Sequence, residues 1–168
     1  MSFGRLGAMR VYLPSTLPAL GEILAEGGLN HVGTSAYAVT PALRHEVGDD
    51  AEELAYAALC AAADASVDLV AADPQAPRRR LVLAADVHDD AVRPGAQDPE
   101  SPSDATGDPA AVTVHQAIPL KRIVSGHVDA PDADVIAAVE HATTTGELEV
   151  VQDYELLWYA TQELAELS

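Results

Sequence analysis

The sequence predicts an α/β (or α+β) fold in which one mixed β-sheet is packed by helices, with the strand order left open. Three observations carry this. Short segments alternate apolar and polar residues with the period of a strand. Strand-like segments run directly into helix starts built from a hydroxyl residue and a proline. One run, R-L-V-L-A-A-D-V, is apolar almost throughout, as in a strand covered on both faces.

M-R-V-Y-L-P places Val11 and Leu13 on one face and Tyr12 on the other, and Pro14 stops it. Ser15 or Thr16 then caps a helix whose stripe is Leu17, Leu20, Ile23 and Leu24, ended by Gly27-Gly28. S-A-Y-A-V-T reads as a second strand, and Thr40 with Pro41 opens another helix. Asp49 or Asp50 caps the longest helix, which runs towards Pro74 with apolar stripes on two sides. After the buried strand, residues 92–110 are rich in Pro, Gly, Asp and Ser, and are expected to form a mobile acidic loop. A-V-T-V-H-Q-A-I and L-K-R-I-V-S-G-H-V-D follow as strands, and Asp132 or Asp134 begins a further helix. In the tail, Tyr154, Leu157, Trp158, Thr161, Leu164 and Ala165 follow helical spacing, although a strand from Tyr154 to Tyr159 also suits the aromatics. The stripe favours a final docking helix that buries Trp158.

The 168 residues fit a single domain over 1–168, with residues 1–8 expected to be frayed. Nine lysines and arginines stand against 27 acids, a net charge of −18, so a phosphate backbone is repelled and nucleic-acid binding is set aside. The one basic cluster, Arg78-Arg79-Arg80, cannot present three adjacent side chains on one face. It is expected to keep a strand edge soluble or to answer an acidic partner. A single cysteine, Cys60, allows no intrachain disulfide, no apolar run of roughly 18 residues is apparent, and the start lacks a signal-peptide pattern. A cytoplasmic location is the expectation.

Candidate chemistry is sparse. Ser15, Thr16 and Thr40 sit where a helix N-terminus could take an anion, but each is also the cap its helix needs, and no phosphate-loop motif accompanies them. Asp86, His88 and Asp90 alternate at the end of the buried strand, and His127 and Asp129 are two apart on a later one. Such sets could ligate a divalent cation or form an acid–base pair, especially if pairing brought His115 beside His127. A solvated turn and hydrogen-bonded strand histidines are the simpler reading. Cys60 lies mid-helix among alanines with no cation to lower its pKa, so it reads as a core residue. Ser66 has no nucleophile elbow around it.

Taken together, M-R-V-Y-L-P-S-T, A-V-T-P-A-L-R, A-P-R-R-R-L-V-L-A-A-D-V and E-L-L-W-Y-A-T-Q-E-L resemble a family of small actinobacterial proteins of unknown function. The resemblance runs from Met9 to Leu167, apart from the loop near 92–110. It implies no catalytic residues. It also carries an association with regulators of ParA-type chromosome-partitioning ATPases, for which no residue here reads out the partner.

The sequence therefore favours a non-enzymatic interaction or regulatory protein, without a cofactor. Its partner would be a protein, with basic chemistry favoured by the acidic balance, and Tyr154, Trp158 and Tyr159 are the candidate contact residues. The alternative is a small ligand- or metal-binding protein or enzyme using the strand-end aspartates and histidines. A homodimer is compatible with either.

Overall fold

A computed structural model describes residues 7–95 and 108–167. In chain order the strands are β1 (Ala8–Ser15), β2 (Gly28–Leu29), β3 (Thr34–Ala38), β4 (Leu81–His88), β5 (Val92–Pro94), β6 (Ala111–Val114), β7 (Ile118–Pro119), β8 (Ile123–Val128) and β9 (Leu157–Ala160). The helices are α1 (Leu17–Glu26), α2 (Pro41–Val47), α3 (Ala51–Ala72), α4 (Ala133–Thr145) and α5 (Glu149–Gln152). Seven strands form one sheet in the order β5-β6-β3-β1-β4-β8-β9, and β2 and β7 form a separate ribbon. The α/β expectation holds, and each pairing in the sheet is antiparallel.

The junction chemistry works as the sequence suggests. Thr16 Oγ1 accepts from the Ala19 amide at 3.2 Å, Thr40 Oγ1 from Leu43 at 3.0 Å, and Asp50 Oδ1 from Glu52 and Glu53. Pro18 and Pro41 lie in first turns, where a missing N–H leaves no bond unmade. Strand β4, between β1 and β8, is interior to the sheet and has both faces covered. Leu81, Leu83, Ala85 and Val87 join Val11 and Leu13 beneath α1 (Leu17, Leu20, Ile23), while Val82 and Ala84 join Tyr12 beneath Leu54, Ala58 and Ala62 of α3. The far side of α3 buries Val67 and Val70 against Val135, Val139 and Val151 of α4 and α5.

This double packing explains a feature that the sequence reading missed. By length and composition α3 is apolar enough to cross a membrane. Its apolar residues instead serve two cores, one against the sheet and one against α4 and α5. Near the middle of the helix, buried Ser66 donates to the Ser15 carbonyl at 2.8 Å and accepts from the Leu81 amide at 3.0 Å, joining helix and sheet at the end of the β1–β4 ladder. Both capacities of its hydroxyl are consumed by structure.

The arginine cluster is not an exposed edge. Arg80 precedes β4 and is only 3% exposed, and Asp129, one residue past β8, is 0% exposed. Arg80 Nε and Nη2 meet the Asp129 carboxylate at 2.9 and 2.8 Å, a two-pronged match of guanidinium and carboxylate. The Arg80 amide also donates to Oδ2 at 2.8 Å, and the Asp129 amide to the Arg80 carbonyl at 3.1 Å, so the pair closes the β4–β8 ladder. Nη2 reaches the Tyr154 carbonyl at 2.9 Å and so holds the chain that enters β9. Arg79 Nε donates to the Asp129 carbonyl, while Arg78 pairs with Glu140 and donates to the Val70 carbonyl at the end of α3, where a cation suits the dipole.

The tail differs from the helical expectation. Residues Leu157–Ala160 add strand β9 to the sheet, and Thr161–Glu166 follow as a 3-10 helix. The residue that plugs the core there is Leu164, fully buried against Gly126 of β8. A Cβ at position 126 would stand 2.5 Å from Leu164 Cδ2. Of the segment expected as a loop, Val92–Pro94 forms edge strand β5, whereas residues 96–107 lie outside the described residues.

Replacing Asp129 by Ala strands the Arg80 charge in the interior and should cost about 3–5 kcal/mol in urea unfolding followed by circular dichroism. The double change Arg80→Met with Asp129→Leu should recover part of that loss, since a packed apolar pair needs no charge compensation but leaves the Arg80 amide and the Tyr154 carbonyl without these partners.

Candidate functional site

Strand β9 forms one edge of the sheet, pairing with β8 through Leu157↔Val128, Trp158↔His127, Tyr159↔Gly126 and Ala160↔Ser125. In a strand successive side chains point to opposite faces. Trp158 therefore shares the α3 side of the sheet with His127 and Val82, and Tyr159 lies on the α1 side, where it packs against the core. Because β9 is an outer strand, its α3-side face runs beyond the helices. Trp158 is 62% exposed and Leu157 43% exposed. A helix would have carried Trp158 inward with Leu164; the strand period turns it to water.

One main-chain group at this edge is already taken. The Ala160 amide is capped by Glu163 Oε1 at 2.8 Å and thus points away from β8. By antiparallel alternation the Trp158 amide and carbonyl point outward as well, while those of Leu157 and Tyr159 serve the ladder. Among the described residues Trp158 is then the one residue of β9 that offers both a side-chain anchor and an unpaired amide and carbonyl. Glu155 and Glu163 flank it in the chain. Tyr154, by contrast, is half-buried beside the α4–α5 core, so of the three candidate contact residues only Trp158 stands clear of the protein.

Beside the start of β9 lies a cleft of about 180 Å³ between α3 and the segment 152–156. Its lining includes Cys60, so this thiol is half-buried in a cleft wall and not sealed in a core; burial pushes its pKa up.

The other candidates are placed apart. Asp86 pairs with Arg10 at 2.5 Å, across the register Arg10↔Asp86. His88 and Asp90 are exposed at the end of β4 and in the turn beyond it. Asp129 is consumed by Arg80. His127 Nε2 lies 3.2 Å from Ser125 Oγ. His115 follows β6, which β3, β1 and β4 separate from β8, so the two imidazoles do not meet. Among the described residues no group of three or more His, Cys, Asp or Glu side chains is arranged to hold a metal ion. Thr16 and Thr40 are buried caps, and Thr40 also donates to the Pro109 carbonyl at 2.5 Å. The groove next to Ser15 and Thr16 is lined by Glu22, Glu26 and Asp73, which would repel an anion.

Sequence reasoning missed Arg80 and the cleft. The one signal for Arg80 was its position directly ahead of an unbroken apolar strand, where a charged side chain must run inward or find a partner.

The chain belongs to the family of unknown function DUF6912, whose profile matches residues 9–167. No curated protein and no solved structure matches it.

His127 and Trp158 face each other across the β8–β9 ladder. Burial, and then the nearby Arg10 charge, hold the His127 pKa below its ordinary value of 6.5. The folded state therefore binds this proton less readily than the unfolded state. The stability from the neutral imidazole is full above about pH 6.5 and is lost as pH falls through the depressed folded pKa. The emission of Trp158 should be red-shifted, as for an indole in water, and should change with a midpoint below pH 6.5. His127→Gln should abolish that midpoint and flatten the corresponding acid-side loss in urea stability.

Proposed function

We propose that this protein is a non-enzymatic binding module that docks a basic protein segment on its β9 edge, with Trp158 as the anchor. The supporting observation is the placement of the sole tryptophan, 62% exposed on an edge strand next to exposed Leu157. A large aromatic ring held on a sheet adds contact area with few rotamers to fix, which is why tryptophan dominates many interfaces. Glu155 and Glu163 flank the strand, and five of the nine basic residues, Arg10, Arg78, Arg79, Arg80 and Arg93, are engaged with carboxylates or carbonyls of the protein itself. An acidic field of this kind steers a basic partner and repels a second copy of the same chain.

The geometry favours a side-chain anchor over a long added strand. Glu163 occupies the Ala160 amide, so an incoming segment finds the amide and carbonyl of Trp158 but little further ladder. Affinity would then concentrate in the ring, and specificity in the charges around it.

A photoreactive amino acid at position 158 should give a discrete cross-link in the native cell, and one at exposed Val32 should not give the same adduct. With the cross-linked protein purified, Trp158→Ala should weaken binding by about 30-fold, the scale of an interface hot spot, and added salt should weaken it further. Identical adducts at 158 and 32, or an unchanged Kd for Trp158→Ala, would refute this reading.

A further inference from the structure

The cleft at the foot of β9 presents a donor and an acceptor on opposite chemical terms. Its walls include Tyr56, Leu59, Cys60 and Asp64 of α3, together with Arg80 and Leu156. Three groups of the Arg80 main chain and guanidinium are spoken for: the amide, Nε and Nη2 all bond to Asp129, and Nη2 also to the Tyr154 carbonyl. Nη1 donates to nothing among the described residues. Because the guanidinium is planar and its Nε–Nη2 edge is turned to Asp129, Nη1 lies on the opposite edge. Among the described residues no fully buried side-chain nitrogen or oxygen lacks a hydrogen-bond partner. An unbonded Nη1 on a side chain that is 3% exposed must therefore reach solvent space, and the cleft that Arg80 lines supplies it.

The acceptor is Asp64. Its carboxylate takes hydrogen bonds from Gln152 Nε2 at 3.1 and 3.0 Å but forms no ion pair among the described residues. Burial raises its pKa, outweighing the Gln152 hydrogen bonds and the nearby Arg80 charge, which both lower it. Glu155 stands at the same cleft. Anionic ligands are opposed by these two acids, and an ammonium group, a donor only, offers no acceptor to Arg80 Nη1. A neutral head that accepts at one end and donates at the other meets neither objection. The apolar part of the lining, Leu59, Ala63 and Leu156, suits a small hydrocarbon body. The volume is on the scale of the roughly 150 Å³ apolar cavity that takes a benzene molecule.

We infer that this cleft binds a neutral primary carboxamide on a short apolar body, its carbonyl accepting from Arg80 Nη1 and its N–H groups donating to Asp64. The group is supplied either by a free small molecule or by a glutamine-type side chain of a bound protein. The site is independent of the Trp158 edge, since a small probe fills it without any strand being added.

The test is a titration of the full chain, labelled with nitrogen-15, with butyramide, butyrate and butylammonium chloride at matched millimolar concentrations. Butyramide should shift the amide signals of Cys60, Asp64 and Leu156 saturably, and the two charged analogues should bind at least tenfold more weakly. Asp64→Ala, a change on a partly exposed helix face that favours helix formation, should remove the saturable shifts while leaving the rest of the spectrum in place. Maleimide labelling of Cys60, the single thiol, should slow in parallel with occupancy. Tighter binding of a capped glutamine than of butyramide assigns a protein side chain, and the reverse assigns a free ligand. No saturable shift with butyramide, equal shifts from all three probes, or unchanged binding in Asp64→Ala would each overturn the inference, whatever the cross-linking at position 158 shows.

Discussion

The buried Arg80–Asp129 pair is the constraint on which the rest of the structure depends. Removing two charges from water costs more than their attraction alone returns, so such a pair persists only with further hydrogen bonds to its charged groups. Here the supporting bonds are the backbone itself. The Arg80 amide, the Asp129 amide and the Tyr154 carbonyl are all recruited, and they belong to three separate segments. One interaction thereby fixes the start of β4, the end of β8 and the approach to β9. Both proposed sites adjoin it: the Tyr154 contact holds the chain that enters the sheet edge where Trp158 emerges, and Arg80 itself lines the cleft.

A second consequence concerns charge. The chain has few cations, and those in the Arg78–Arg80 cluster are turned to carbonyls and carboxylates of the fold. These three cations serve the architecture, while most of the acids face outward. The resulting field is a property of the whole surface, so it acts on the rate and selectivity of encounter rather than on the fold.

How much was legible in the sequence varied with the range of the interactions involved. Helix starts were readable because Thr16, Thr40 and Asp50 act within three residues of themselves. Strand β4 was readable because burial on both faces leaves an unbroken apolar run. The strand order was not, since antiparallel pairing across β3, β1 and β4 depends on contacts far apart in the chain. The fate of Arg80 rested on a carboxylate 49 residues away. The tail was misread for a different reason: Leu157, Trp158 and Leu164 fit a helical stripe, while Leu157–Ala160 fits a strand equally well, and the choice was made by Gly126. Its missing Cβ leaves room for Leu164, and that seat sets the direction of the segment after β9. Likewise, the histidines could be paired on paper because strand adjacency in the chain was taken for adjacency in the sheet.

Open antiparallel sheets carry a standing hazard, because an unpaired edge can recruit the edge of another molecule and grow without limit. At one end of this sheet the Glu163 carboxylate sits on the amide that a neighbouring strand would need. At the other, β5 is three residues long and ends in Pro94, which has no amide to offer. The protein is thus terminated at both ends by different chemistry, one acidic cap and one imino acid. The exposed tryptophan thus stands on an edge strand beside a position where the ladder is already blocked.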